Sequence, residues 1–133
     1  MLELAKIETY YTEQERFFKR NILREYLQYK ILEILFNSNS SRKLSFIGGT
    51  SLRIVHNLNR FSEDLDFDSF SLEKEEFIGV SEEIKKNLEL EGYNIEIKCV
   101  FKGAYRIYVR FLNVLFKEGL SRQKEERLFS FFI

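Results

Sequence analysis

The chain of 133 residues contains no proline and no tryptophan, one cysteine, one histidine and only three aspartates. The single Cys99 excludes an intrachain disulfide and fits a reducing compartment. No apolar run approaches the ~18 residues that span a bilayer, and the N-terminus carries no signal-peptide pattern. The expected location is therefore the cytoplasm, with no membrane partner. Without tryptophan, 14 Phe carry much of the apolar volume. Hydrophobic residues at 44% and charged residues at 32% describe a globular chain, and its length suits one domain with its own core. All three aspartates, Asp64, Asp66 and Asp68, fall within five residues of one another.

A net charge of zero hides a pattern. Residues 1–43 carry 8 basic and 6 acidic side chains, residues 44–91 carry 5 and 11, and residues 92–133 carry 8 and 4. An acidic centre between basic flanks suits a metal site with phosphate-binding surroundings, although ordinary surface variation gives the same pattern.

Residues 2–10 read as a short helix. Thr12 and Glu15 form a capping box for a helix over about 13–37, with Leu23, Leu27, Ile31 and Ile34/Leu35 as its apolar stripe, widened by Phe18, Ile22 and Tyr26. Arg16, Lys19, Arg20 and Arg24 read as its solvated face, RNA contact being the alternative. Leu44–Ile47 reads as a short buried strand. Gly48 and Gly49 then permit a tight turn and a close approach to the backbone. Thr50 or Ser51 is expected to cap the next helix, with Leu52, Ile54, Val55 and Leu58 as its apolar contacts and Asn57 at its end. Free amides at such a start attract anions, but a Gly-Gly pair alone is usually just a turn.

Residues 60–67 alternate as a strand. Asp64 and Asp66 share one face, while Leu65 and Phe67 point inward. Adjacent carboxylates repel, and a cation between them removes the repulsion. Mg²⁺ suits such a pair, being hard, oxygen-seeking and commonly held by one or two carboxylates plus substrate phosphates. A solvated acidic edge strand is the competing reading of an isolated D-x-D. The glycine turn fifteen residues earlier, behind a strand and ahead of a helix, favours the metal.

Gly48-Gly49-Thr50-Ser51-Leu52 followed by Arg60-Phe61-Ser62-Glu63-Asp64-Leu65-Asp66-Phe67 closely resembles the AbiEii/AbiGii-type nucleotidyltransferase toxins. More broadly it resembles the polymerase-β-like nucleotidyltransferase fold. The resemblance implies that Asp64 and Asp66 are the catalytic pair and hold Mg²⁺. It also implies that Gly48, Gly49 and Thr50, together with Ser62, contact the phosphates of a nucleoside triphosphate. Arg60 matches too, in a structural or phosphate-directed role. Asp68 reads as a solvated loop residue or a helper, and His56 as structural rather than catalytic.

Residues 69–90 read as mostly helical, with Ser71 as N-cap, a possible break at Gly79, a stripe of Phe77, Val80, Ile84 and Leu88, and Gly92 at the C-terminal end. Residues 93–111 read as a hairpin around Lys102-Gly103-Ala104. It pairs Ile95 with Phe111, Ile97 with Val109, Cys99 with Ile107 and Phe101 with Tyr105, which leaves Glu96 opposite Arg110. Cys99 is then a core residue. The resemblance extends over about 44–128, through Arg106–Phe111, Leu115–Ser121 and Lys124–Leu128. In the family, the strand beginning near Leu128 carries the third carboxylate, and a helical C-terminal region follows. Here Leu128–Ile133 is apolar and the sequence stops. A truncated chain is the expectation, with those residues pairing as an edge strand and exposed apolar surface favouring a homo-oligomer.

The expected fold is α+β, a nucleotidyltransferase-like mixed β-sheet with flanking helices and an N-terminal helical segment. One domain would span 1–133, comprising N-terminal helices over 1–43 and a catalytic-type core over 44–133. The expected function, implied by the resemblance, is Mg²⁺-dependent transfer of a nucleotide to a tRNA-like RNA or a protein. The setting would be a toxin–antitoxin or abortive-infection system with a cognate antitoxin. The alternatives are an inactive remnant that keeps nucleotide, RNA or partner binding, and a plain RNA-binding module.

Overall fold

Alternation and helical periodicity sort the chain into one mixed sheet flanked by helices, in the computed structural model of residues 3–103, 105–120 and 125–132. The strands are β1 (Leu44–Ile47), β2 (Leu65–Ser69), β3 (Ile95–Val100), β4 (Arg106–Leu112) and β5 (Glu125–Phe132). The α-helices are α1 (Leu4–Ile7), α2 (Lys19–Phe36), α3 (Gly48–His56), α4 (Lys74–Leu90) and α5 (Val114–Lys117). The order across the sheet is β1-β2-β5-β4-β3. Among the described residues, only the β2–β5 pair is parallel. The architecture is α+β, as the sequence patterning implies. Leu2, Ala104, residues 121–124 and Ile133, which enter the sequence readings, lie outside the described residues.

One sheet face carries the core. Leu65, Phe67, Ile95, Ile107, Val109 and Phe111 are buried there with the stripes of α2 (Ile22, Leu23, Leu27, Ile31, Leu35) and α4 (Phe77, Val80, Ile84, Leu88). Each fully buried Leu, Ile or Phe contributes roughly 1.5–3 kcal/mol, so these two helices hold the sheet. The expected hairpin register is observed, from Ile95↔Phe111 through Cys99↔Ile107. Arg110 donates to Glu96 at 3.2 Å on the opposite face, Cys99 packs against the core, and the Phe101 and Tyr105 rings meet at 5.6 Å.

Several expectations are corrected. The helix over 13–37 is interrupted. Thr12 and Glu15 do form the reciprocal bonds of a capping box, but only a single 3₁₀ turn, Glu15–Phe17, follows it. Phe18 (φ −98°, ψ 59°) then breaks the run and is exposed. Arg16 ties that turn back by donating to the carbonyls of Glu8 and Tyr11, a tertiary bond that the stripe does not reveal. In α4 the cap is Glu73, in a capping box with Glu76, because Ser71 adopts φ +55°; Gly79 lies within an unbroken helix. Gly92 (φ +95°) closes it as expected. The strand expected over 60–67 begins only at Leu65. β1 is an edge strand with Ile47 exposed rather than a buried one, and the strand over Glu125–Phe132 is internal to the sheet rather than at its edge.

Candidate functional site

The candidate site forms where β1 turns directly into α3. Gly48 is the first helical residue at φ +81°, a conformation that costs a side-chain-bearing residue about 1–2 kcal/mol. Ile47 occupies the N-cap position and has no acceptor to offer the first-turn amides. The expected cap from Thr50 or Ser51 is therefore not made; both side chains are buried instead. Asn57 (φ 58°) ends the helix as expected. Leu52, Val55 and Leu58, expected as core contacts, are largely exposed, and only Ile54 packs against the core.

Both glycines face the acidic motif. A Cβ on Gly48 would lie 2.7 Å from Asp66 Oδ2, and one on Gly49 would lie 3.1 Å from Ser62 Oγ. The turn and the motif are thus in direct contact, and in the first case only a hydrogen fits between them. The β1–β2 register sets this up by pairing Ile47 with Asp66. Alternation then places Leu65 and Phe67 in the core while Asp66 stays half-buried on the opposite face. Asp64 lies one residue before β2 and is exposed.

Although Asp64 is exposed as a residue, partial desolvation holds its carboxyl above the ordinary pKa, with the neighbouring charges of Asp66 and Glu63 adding to the rise; Arg24 opposes it. Burial also raises Asp66. Two neighbouring carboxylates of hard oxygen chemistry, both raised in pKa, fit a divalent cation, which would favour their charged forms. No group of three or more His, Cys, Asp or Glu gathers as a metal cluster among the described residues.

Of the other expected site residues, Thr50 is only 1% exposed, and its hydroxyl donates to the Asp64 carbonyl. Its side chain therefore braces the motif from within. Arg60 is exposed on the loop before Ser62, His56 is exposed in the last turn of α3, and Asp68 is exposed opposite Ser45.

Three further residues belong to this neighbourhood: Gln28 and Arg106, to which the sequence assigned no role, and Arg24, which was expected on a solvated face but is mostly covered. Gln28, wholly buried on α2, donates from Nε2 to the carbonyls of Ser62 (3.0 Å) and Glu63 (3.2 Å). Its Oε1 is buried without a partner, which costs about 1–3 kcal/mol. Arg24, one turn earlier, lies 3.7 Å from Glu63; its partial burial lowers its pKa, and the negative charges of Glu63 and Asp64 oppose this only in part. Arg106 shares a cross-strand row with Asp66, each pairing with Phe132 from opposite sides. Gln28 does leave a signal, a polar residue inside the stripe of Leu27 and Ile31; Arg106 is reached only through the sheet order.

A second polar cluster ties α3 to the N-terminal segment. Arg53 donates to Glu25 at 2.8 Å and Glu15 at 3.0 Å and stacks on Phe61 at 4.5 Å. Tyr11 donates to Glu25 at 2.8 Å. Tyr11, Glu15, Glu25 and Arg53 line a cavity of ≈ 340 Å³ beside Asn57 and Leu58.

The family model described as the nucleotidyl transferase AbiEii toxin of a type IV toxin–antitoxin system matches residues 30–125, which include the glycine turn and the acidic motif. No significant match was found among curated proteins or among solved structures. The match covers most of the 133 residues, and the chain belongs to the AbiEii nucleotidyltransferase toxin family.

Proposed function

We propose that the chain transfers a nucleotide from a nucleoside triphosphate to an RNA acceptor of the tRNA type, with Mg²⁺ held by Asp64 and Asp66. The observation that carries this is the contact between Gly48 and Asp66, which joins the open α3 start to the acidic pair. Phosphate oxygens bind readily at an uncapped helix start, and Gly48 and Gly49 leave room for them. Ser62, set against Gly49, supplies a hydroxyl on the same rim. Asp64 and Asp66 hold the cation, which when bound neutralises phosphate charge.

In the transfer, an acceptor hydroxyl gives up its proton to water and its oxygen forms a bond to the α-phosphorus. The bond from that phosphorus to the bridging oxygen breaks, and pyrophosphate leaves with the electron pair. Gly48, Gly49 and Ser62 orient the triphosphate, and Arg60 is a candidate phosphate ligand from the exposed loop. Thr50 acts from beneath, on the Asp64 backbone. We read residues 1–133 as one catalytic-type unit, since α2 contributes to the same core as the sheet. The family's toxin–antitoxin setting makes a protein antitoxin the expected partner. No helix among the described residues is long and apolar enough to cross a membrane.

The test is incubation with each labelled nucleoside triphosphate, Mg²⁺ and total tRNA, beside Asp64→Asn and Asp66→Asn. Label should enter tRNA with the unaltered chain and with neither variant. Transfer that survives both substitutions would sink the metal assignment, and Mg²⁺-dependent nucleotide binding without transfer to any acceptor would point to a binding protein instead.

A further inference from the structure

We propose that Gln28 and Thr50 are positioning residues for Asp64, so that helix α2 forms part of the site's framework. The inference rests on the reading of Asp64 and Asp66 as a cation-holding pair. The loop from Asn57 to Asp64 has neither helix nor strand to fix its backbone. Three consecutive carbonyls at its end are instead held by side chains. Gln28 takes those of Ser62 and Glu63 from α2, and Thr50 takes that of Asp64 from α3. Two helices thus converge on the backbone that delivers the first carboxylate.

The chemistry of Gln28 is directional. Turning its amide over would set Oε1 against two carbonyl oxygens, so only the NH₂ group can face the loop. That orientation leaves Oε1 buried and unpaired. A core position that needed only volume would be filled by leucine or methionine without an orphaned acceptor. Gln28 is wholly buried and Thr50 is 1% exposed, so neither is available to touch a nucleotide by its side chain. Gln28 also lies outside the family-matched segment, which begins at residue 30. The role therefore comes from this chain's own packing. It resembles the way outer groups orient metal-ligating side chains elsewhere, where their loss weakens metal affinity about 10–100-fold.

The experiment is a titration of the full chain with Mn²⁺ alone, followed by electron paramagnetic resonance, with thermal unfolding measured on the same samples. Gln28→Met keeps the volume and removes the donors. Thr50→Val keeps the shape and removes the hydroxyl, and Thr50→Ser restores it. Leu88→Ala, in the buried stripe of α4, is a control for destabilisation alone. Gln28→Met and Thr50→Val should each weaken Mn²⁺ binding about tenfold. Thr50→Ser and Leu88→Ala should stay within about twofold, even though Leu88→Ala lowers the unfolding temperature at least as much. Wild-type affinity in folded Gln28→Met and Thr50→Val, or an equal loss in Leu88→Ala, would overturn the proposal. If Gln28→Met does not fold, Thr50→Val against Thr50→Ser decides it. Asp64→Asn separates the two levels: unchanged Mn²⁺ binding there removes the metal assignment itself, whereas loss there with normal binding in the other variants removes only the positioning role.

Discussion

Gly48 and Asp66 are separated by no more than a hydrogen's width: a methyl group on Gly48 would lie 2.7 Å from Asp66 Oδ2. The contact links a backbone requirement to a chemical one, since Gly48 also sits at φ +81°. Gly48→Ala should therefore lose about 1–2 kcal/mol from backbone strain alone and must also displace the Asp66 carboxylate. Gly49 has no such φ, and a Cβ added there would meet a rotatable Ser62 hydroxyl at 3.1 Å. Gly49→Ala should leave stability within about 1 kcal/mol of the parent, since alanine favours a helix and Ser62 can give way. Chemical denaturation of both variants checks this. Equal losses would show that the turn is strained as a whole rather than at Gly48.

The Arg53–Glu25 pair holds α3 to α2, with both side chains largely out of water. Arg53→Met would leave Glu25 buried and uncompensated, at a cost of about 3 kcal/mol. Glu25→Gln keeps a group that accepts from Tyr11 and should cost less. The double variant Arg53→Met/Glu25→Met removes the isolated charge and should be more stable than Arg53→Met alone. A double-mutant cycle by urea denaturation measures the coupling. Additive losses would mean that the bonds at 2.8–3.3 Å contribute little beyond packing.

Much of the site was legible because it depends on short-range order. The glycine pair, the D-x-D alternation and the inward Leu65 and Phe67 all follow from period and turn chemistry, and the hairpin register follows from making one face apolar. What was not legible depends on tertiary partners. Thr50 looks like a helix cap by position, yet the Asp64 carbonyl takes its hydroxyl. The bonds between Thr12 and Glu15 follow from local spacing, but Arg16 bends the chain back after one turn. The apolar end of the sequence suggests an edge strand, whereas pairing on both sides makes β5 internal. No local pattern encodes which strands will be neighbours, so the row joining Asp66 to Arg106 could not be anticipated.

Asp64 should destabilise the metal-free protein at neutral pH. Its folded pKa is raised by burial first and then by Asp66 and Glu63. For a raised carboxyl, stability is fully present below the unfolded pKa and is lost as pH rises through the folded value. Asp64→Asn removes that loss. With chelator at pH 7 the variant should unfold roughly 1–2 °C higher than the parent, a small shift because the group is partly solvated. Added Mg²⁺ should raise the parent's unfolding temperature and leave the variant's unchanged. A thermal scan in chelator and in Mg²⁺ reads both, and a variant less stable than the parent in chelator would contradict the sign.

Glu15 should act in the opposite direction. Its carboxylate accepts from Arg53 at 3.0 Å and from the Thr12 amide at 3.1 Å, and these bonds, Arg53's first, hold its pKa below the ordinary 4.5. A depressed carboxyl contributes stability above the unfolded pKa, and that contribution disappears as pH falls through the lower folded value. Glu15→Gln keeps an acceptor of similar shape but cannot ionise. The parent should therefore exceed the variant in stability above the ordinary carboxyl range, and the gap should close as pH falls through the lower folded value. Urea midpoints measured between pH 3 and pH 7 give the difference directly. A gap that stays constant across that range would mean that Glu15 contributes through capping geometry alone, and that its charge does nothing for Arg53.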